Sequence, residues 1–202
     1  MKESEEFEIP IKDETPTRWD VFRSKLREFF RDFREGFTIF DFFKILASAL
    51  AVIALLFTFF FRVFTVDGPS MVPALDNGDR IVTSAYGYKP ERGDIVVLYA
   101  KNLNKPIVKR IIAVAGDEVD INFASGIVTV NGTEEHYTDE LTRQQQNTAF
   151  PITVAEGTVF VLGDNRDMSL DSRSPLVGCV EERYIVGKVL FRVYPFGKGA
   201  VK

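Results

Sequence analysis

The segment Phe42 to Phe61, FFKILASALAVIALLFTFFF, constrains this chain more than any other: in twenty residues the one charge is Lys44. Coiled into a helix rising about 1.5 Å per residue, it covers the roughly 30 Å of a bilayer's hydrocarbon core, so a single membrane span is expected over 42–61. Lys44 can snorkel to the headgroups, and Ser48 and Thr58 can bond to carbonyls one turn back. The competing reading is a cleaved signal peptide. The uninterrupted run Ile45 to Phe61 exceeds the usual h-region of about 7–15 residues, and no small-x-small cleavage site follows it. Residues 25–44 carry Lys25, Arg27, Arg31, Arg34 and Lys44, whereas residues 62–81 carry only Arg62 and Arg80. The excess of cations on the N-terminal side predicts a cytoplasmic N-terminus, with everything after Arg62 on the outer face.

Residues 1–17 hold Glu3, Glu5, Glu6, Glu8, Asp13 and Glu14 beside few large apolar groups. They cannot bury enough surface to offset the chain entropy lost on ordering, and a disordered acidic tail is expected. Over 18–41 the apolar residues Trp19, Phe22, Leu26, Phe29, Phe30, Phe33 and Phe37 recur at helical spacing, with Arg23, Lys25, Arg27, Arg31 and Arg34 between them. Such a basic amphipathic helix can lie in the inner-leaflet interface or pack on a protein partner. The adjoining span favours the bilayer.

The 202 residues, 46% hydrophobic, leave room for one catalytic-sized core after the tail and span are removed. A net charge of -4 argues against a nucleic-acid partner. Cys179 is the one cysteine and His136 the one histidine, so no intrachain disulfide, His cluster or C-x-x-C zinc knuckle can form, and neither metal nor cofactor is expected. From 62 to 202 the chain alternates β-branched runs with turn residues: RVFTV, DRIVTS, DIVVLY, IVKRIIAV, EVDINF, GIVTV, TVFVL and IVGKVLFRVY. This predicts a mainly β domain. Gly78-Asp79, Gly93-Asp94, Gly116-Asp117 and Gly163-Asp164 read as turn markers, Gly allowing φ > 0 and Asp capping. Ser125-Gly126 and Asn131-Gly132 suggest hairpin turns, and the polar stretch at about 132–150 reads as an exposed excursion.

Ser70 follows Phe61 by nine residues, a link that reaches at most about 30 Å, so any chemistry there happens near the bilayer surface. Its surroundings, VDGPSMVPAL, form a bend rigidified by two prolines. Lys109 interrupts the apolar run VKRII. It is either an edge-strand cation or, if it faces the protein, a desolvated amine able to act as a base. The dense polar loop from Gly163 to Arg173 has the carboxylates of a calcium site but not the spacing, because Arg166 and Ser169 stand where an acid and a glycine are required.

In this order after a membrane span, SMVPAL, KRIIAVAGD and GDNRDMSLDSR resemble the S-M-x-P-T-L, K-R-x-x-G-x-P-G-D and G-D-N-R-x-x-S-x-D-S-R motifs of the bacterial type I signal peptidases. GDRIVTSAYGYKPERGDIVVL and IVGKVLFRVYPFG are similar to that family's strands as well. The resemblance implies a Ser/Lys-dyad peptidase of the plasma membrane that removes signal peptides from preproteins, with Ser70 as nucleophile and Lys109 as general base. It further implies that the Ser169 hydroxyl takes a Lys109 proton and orients the amine, while Asp171 and Arg173 form a supporting ion pair. The Ser70 backbone N–H would meet the oxyanion; where some relatives add a hydroxyl, this chain has Gly68. Ala74, Ala113 and Ala115 replace a threonine, a glycine and a proline of the motifs. Selectivity for small side chains is implied too, with Val66, Met71, Leu75, Ile107 and Val108 as candidate pocket walls. Two other readings stay open: a Ser/Lys peptidase dedicated to one secreted or pilin-like substrate, and a non-catalytic, membrane-tethered β domain used for binding. His136 and Cys179 are read as a loop residue and a core filler.

Overall fold

The computed structural model describes residues 17–36, 38–100, 102–103, 105–197 and 201; of the acidic tail expected over 1–17, all but Thr17 lies outside them. Helix α1 runs Arg18–Gly36 and helix α2 Ile39–Phe60. Both begin at a Thr-x-x-Asp box: the Asp20 carboxylate accepts the Thr17 N–H at 3.0 Å, and that of Asp41 accepts the Thr38 N–H at 3.1 Å. Each satisfies one of the backbone donors that a helix start leaves free. The cap at Thr38 explains why α2 starts three residues before the apolar run. Trp19, Phe22, Leu26 and Phe30 of α1 are exposed, and α2 buries none of its side chains. Among the described residues α2 is the one helix long and apolar enough to cross a membrane.

The β unit contains eleven strands among the described residues: β1 Arg62–Thr65, β2 Arg80–Ser84, β3 Ile95–Tyr99, β4 Pro106–Val114, β5 Glu118–Asn122, β6 Ile127–Val130, β7 Thr133–Glu134, β8 Ile152–Thr153, β9 Thr158–Leu162, β10 Val180–Glu181 and β11 Ile185–Tyr194. They form an antiparallel seven-stranded sheet in the order β1-β2-β11-β3-β4-β9-β10 and a four-stranded sheet in the order β7-β6-β5-β8. The eight β-branched runs coincide with the longer strands, so the mainly β expectation holds. Asn131-Gly132 makes the two-residue link from β6 to β7, both residues at positive φ as a primed hairpin turn requires.

Ile112, Phe160 and Leu162 of the large sheet pack against Val119, Ile121, Val128 and Val130 of the small one. Each such buried side chain contributes roughly 1.5–3 kcal/mol. A second cluster, Val66, Met71, Leu75, Ile81, Ile95, Val97 and Val189, lies under the bend that carries Ser70.

The Gly-Asp pairs do more than mark turns. Asp79, Asp94, Asp117 and Asp164 are all buried, and each meets a cation from a distant segment: Arg192, Lys188, Arg92 and Arg110 respectively. Gly78, Gly93 and Gly116 have positive φ as expected. Gly163 does not; it is small for a different reason. A Cβ there would fall 2.5 Å from both Ser169 Cβ and the Ser70 carbonyl oxygen.

Candidate active site

The bend bearing Ser70 is pinned from below. Val72 N–H donates to Pro69 O at 3.1 Å and Leu75 N–H to Met71 O at 2.8 Å, a helical turn that drives Met71 and Leu75 into the core. With one face of the turn fully buried, Ser70 is held at the rim. Gly68 enters the turn at φ +96 and donates its N–H to Asn77 Oδ1 at 2.8 Å. That donor is therefore occupied. The Ser70 N–H has no hydrogen-bond acceptor among the described residues.

Lys109 comes from β4, which lies inside the large sheet between β3 and β9, so it is no edge-strand cation. It is 3% exposed, and its Nζ lies 2.7 Å from Ser70 Oγ. Burial pushes the amine down from its ordinary 10.5 to about 8; the Asp171 and Asp164 carboxylates oppose this and the Arg173 guanidinium adds to it. The next residue, Arg110, is buried as a bidentate pair with Asp164, at 2.8 and 2.7 Å, and donates to Gly93 O at 2.8 Å. Thus the one buried cation left without a carboxylate on this part of β4 is the one beside the serine hydroxyl.

The loop 163–173 closes the other side. Asn165 N–H donates to Ser70 O at 3.1 Å, so this loop touches the serine's own backbone. Asp171 and Arg173 are both 0% exposed and pair through Nε–Oδ1 at 2.8 Å and Nη2–Oδ2 at 3.0 Å, and Asp171 Oδ2 also accepts Gly163 N–H at 3.1 Å. Ser169 differs from its sequence expectation. Its hydroxyl is buried but makes no hydrogen bond among the described residues, Lys109 included; it occupies the space that a Cβ on Gly163 would fill.

Beside Ser70 and Lys109 is a cleft of about 60 Å³, walled by Val66, Ile107 and Val108, with an exposed Lys105–Asp67 pair at 2.8 Å on its lining. Met71 and Leu75, expected as walls, are not part of that lining; the turn that displays Ser70 commits both to the core beneath. His136 is exposed, and Cys179 packs on the core between the sheets.

The polar stretch at 132–150 departs from the simple exposed excursion expected of it. Its Glu135 pairs with Arg166 at 2.6 Å, both side chains buried, and Arg166 Nη1 donates to Thr142 Oγ1 at 2.7 Å.

Lys109 should lower stability at neutral pH. Its folded pKa of about 8 is below the 10.5 of the free amine, so below pH 8 the protein carries a buried ammonium that costs about 3 kcal/mol. Between pH 8 and 10.5 the unfolded chain holds more protons than the folded one, and stability rises with pH. Lys109→Met should thus be more stable than the wild type by up to about 3 kcal/mol at pH 7, the gap closing toward pH 10. Denaturant unfolding in detergent at both pH values measures it, and equal stabilities at pH 7 would contradict the burial argument.

Residues 39–194 match the protein family described as signal peptidase, peptidase S26. Signal peptidase IB of Staphylococcus aureus is 34% identical over 173 residues, covering 76% of this chain and 88% of its own length. Signal peptidase I of Bacillus licheniformis is 30% identical over 171 residues, covering 80% and 91%. A crystal structure of a signal peptidase I from Enterococcus faecalis V583 is 29% identical and covers 50% of this chain and 97% of that one, with a TM-score of 0.42. By the family match across most of its length, and by relatives that it covers nearly end to end, this chain belongs to the signal peptidases of family S26.

Proposed function

We propose that this chain removes signal peptides from exported preproteins by acyl transfer, with Ser70 as the nucleophile and Lys109 as its base. The observation that carries the reading is the 2.7 Å contact between the Ser70 hydroxyl and a buried amine with no carboxylate bonded to it. A neutral amine accepts the hydroxyl proton as Oγ attacks the scissile carbonyl. The tetrahedral oxyanion is met by the unoccupied Ser70 N–H, the Gly68 N–H being taken by Asn77. Collapse breaks the peptide C–N bond, and Lys109 hands its proton to the leaving amine. A water then gives up a proton to Lys109 and attacks the acyl ester; the C–Oγ bond breaks, Lys109 returns that proton to Oγ, and the signal peptide is released with Ser70 and the neutral amine restored. Asp171 and Arg173 hold the loop against this pair, and Ser169 orients the amine once its hydroxyl swings from Gly163 toward Lys109.

The excess of cations before α2 supports a cytoplasmic N-terminus with α1 at the inner interface and the β unit outside. Cleavage then falls where a translocated signal peptide emerges from the bilayer.

The narrow cleft of about 60 Å³, walled by the branched side chains of Val66, Ile107 and Val108, favours a side chain as small as an alanine methyl over an aromatic ring. The full chain in detergent micelles should cut a preprotein ending its signal in Ala-x-Ala after the second alanine, read by N-terminal sequencing of the product. Phenylalanine at the residue before the cut should lower kcat/KM on the order of 100-fold. An undiminished rate with phenylalanine, or cutting elsewhere, would sink the assignment of this cleft.

A further inference from the structure

The loop 163–173 is held by more than its own internal bonds. The segment 135–148, which the catalytic reading leaves unused, is tied to it at intervals: Glu135 to Arg166, Thr138 Oγ1 to Asp164 O at 3.3 Å, Gln144 O to Arg173 Nη1 at 3.2 Å, and Thr148 N–H to Arg173 O at 3.1 Å. Its outer edge is fixed in turn, since Thr142 N–H donates to Gly126 O at 2.8 Å.

One of these ties reaches the residue beside the reacting pair. Gln146 Nε2 donates to the Ser169 carbonyl at 2.7 Å. The other half of that amide, Oε1, is buried and accepts from nothing among the described residues, just as the buried Ser169 hydroxyl has no partner among them. A side chain present for its bulk alone would avoid the desolvation of an unmet acceptor, and methionine would fill the space. The amide is explained by its donor.

We propose that Gln146 is a positioning residue: through the Ser169 carbonyl it sets the backbone that holds the Ser169 hydroxyl against Gly163, the position from which that hydroxyl must swing to meet Lys109. The proposal rests on the reading of Ser70 and Lys109 as the reacting pair. Ser169 has few backbone anchors: among the described residues its carbonyl receives only this short bond and a longer one of 3.3 Å from Arg173 Nη2. With Gln146 removed, the loop ends stay fixed by Asp171, Arg173 and Arg166 while the hydroxyl loses its placement.

The test measures kcat and KM for preprotein cleavage by the full chain in detergent, together with unfolding midpoints. It compares wild type, Gln146→Met, Ser169→Ala and the double variant, with Ser70→Ala as control. Gln146→Met should lose on the order of 10- to 100-fold in kcat, as small displacements at a reacting centre do, with KM within about twofold. The unfolding midpoint should barely move, and little further loss should follow where Ser169 is already alanine. Retention of kcat within about twofold, or losses that multiply in the double variant as two unrelated defects would, overturns the proposal. Gln146→Glu keeps the shape but offers no donor when ionised, and assayed on the folded fraction it should be impaired too; wild-type activity there would equally overturn it. A wild type that fails to cleave, or a Ser70→Ala that still does, would indict the reading of the pair itself.

Discussion

Ser70→Ala and Lys109→Met should each lower kcat for preprotein cleavage by roughly 10⁴-fold or more, and the double variant should be no worse than either. The two side chains act as one unit across the 2.7 Å contact, so removing either removes the whole proton-transfer step. Lys109→Arg should be as inactive as Lys109→Met even though a guanidinium can still bond to Ser70 Oγ, because arginine does not release its proton near neutral pH. What matters is a base that can be neutral, not a cation. In the wild type the acid limb of kcat/KM should follow the Lys109 amine, rising about tenfold per pH unit and levelling near pH 8. Single-turnover cleavage from pH 5 to 10 reads both effects. A Lys109→Met variant within about 100-fold of the wild type, or an acid limb in the carboxylate range near pH 4, would remove the amine from the mechanism.

The parts of this site that were legible from residue order are those governed by local rules. Runs such as TVFVL and DIVVLY fold as strands because β-branched side chains fit a pleated, half-buried surface, and the eight longer strands follow them. The two-residue strands β7, β8 and β10 are too short to carry a period. Whether Lys109 lies on an edge or in the interior is a question of sheet order: β4 is enclosed because β9, some fifty residues later, pairs with its far side. Nothing local to VKRII says so. Met71 and Leu75 belong to a motif that also holds Ser70, the proposed nucleophile, but their side chains serve the turn's buried face rather than the cleft. The segment 132–150 reads as solvated because its composition is polar. Its polar groups are spent on another polar loop, and that matching becomes visible only when Glu135 and Arg166 are seen buried together.

Arg173→Met should destabilise the β unit by about 3–5 kcal/mol, the cost of stranding a buried carboxylate. Asp171 and Arg173 have no exposed surface, and Arg173 also donates to Arg166 O at 2.6 Å and to Gln144 O at 3.2 Å, so its loss strands carbonyls as well. Asp171→Leu/Arg173→Met should regain much of the stability, because no unpaired charge remains, yet none of the activity, because the loop bearing Ser169 and Asn165 loses its internal brace. The same pair acts on Lys109 with opposite signs: the Asp171 carboxylate favours its ammonium and the Arg173 guanidinium disfavours it. Removing Arg173 alone should therefore move the acid limb of kcat/KM above pH 8, and Asp171→Asn should move it below. Denaturant titrations give the stabilities and residual cleavage across pH gives the limbs. Shifts in one common direction for both variants would mean that the pair acts on Lys109 through slackened packing rather than through charge.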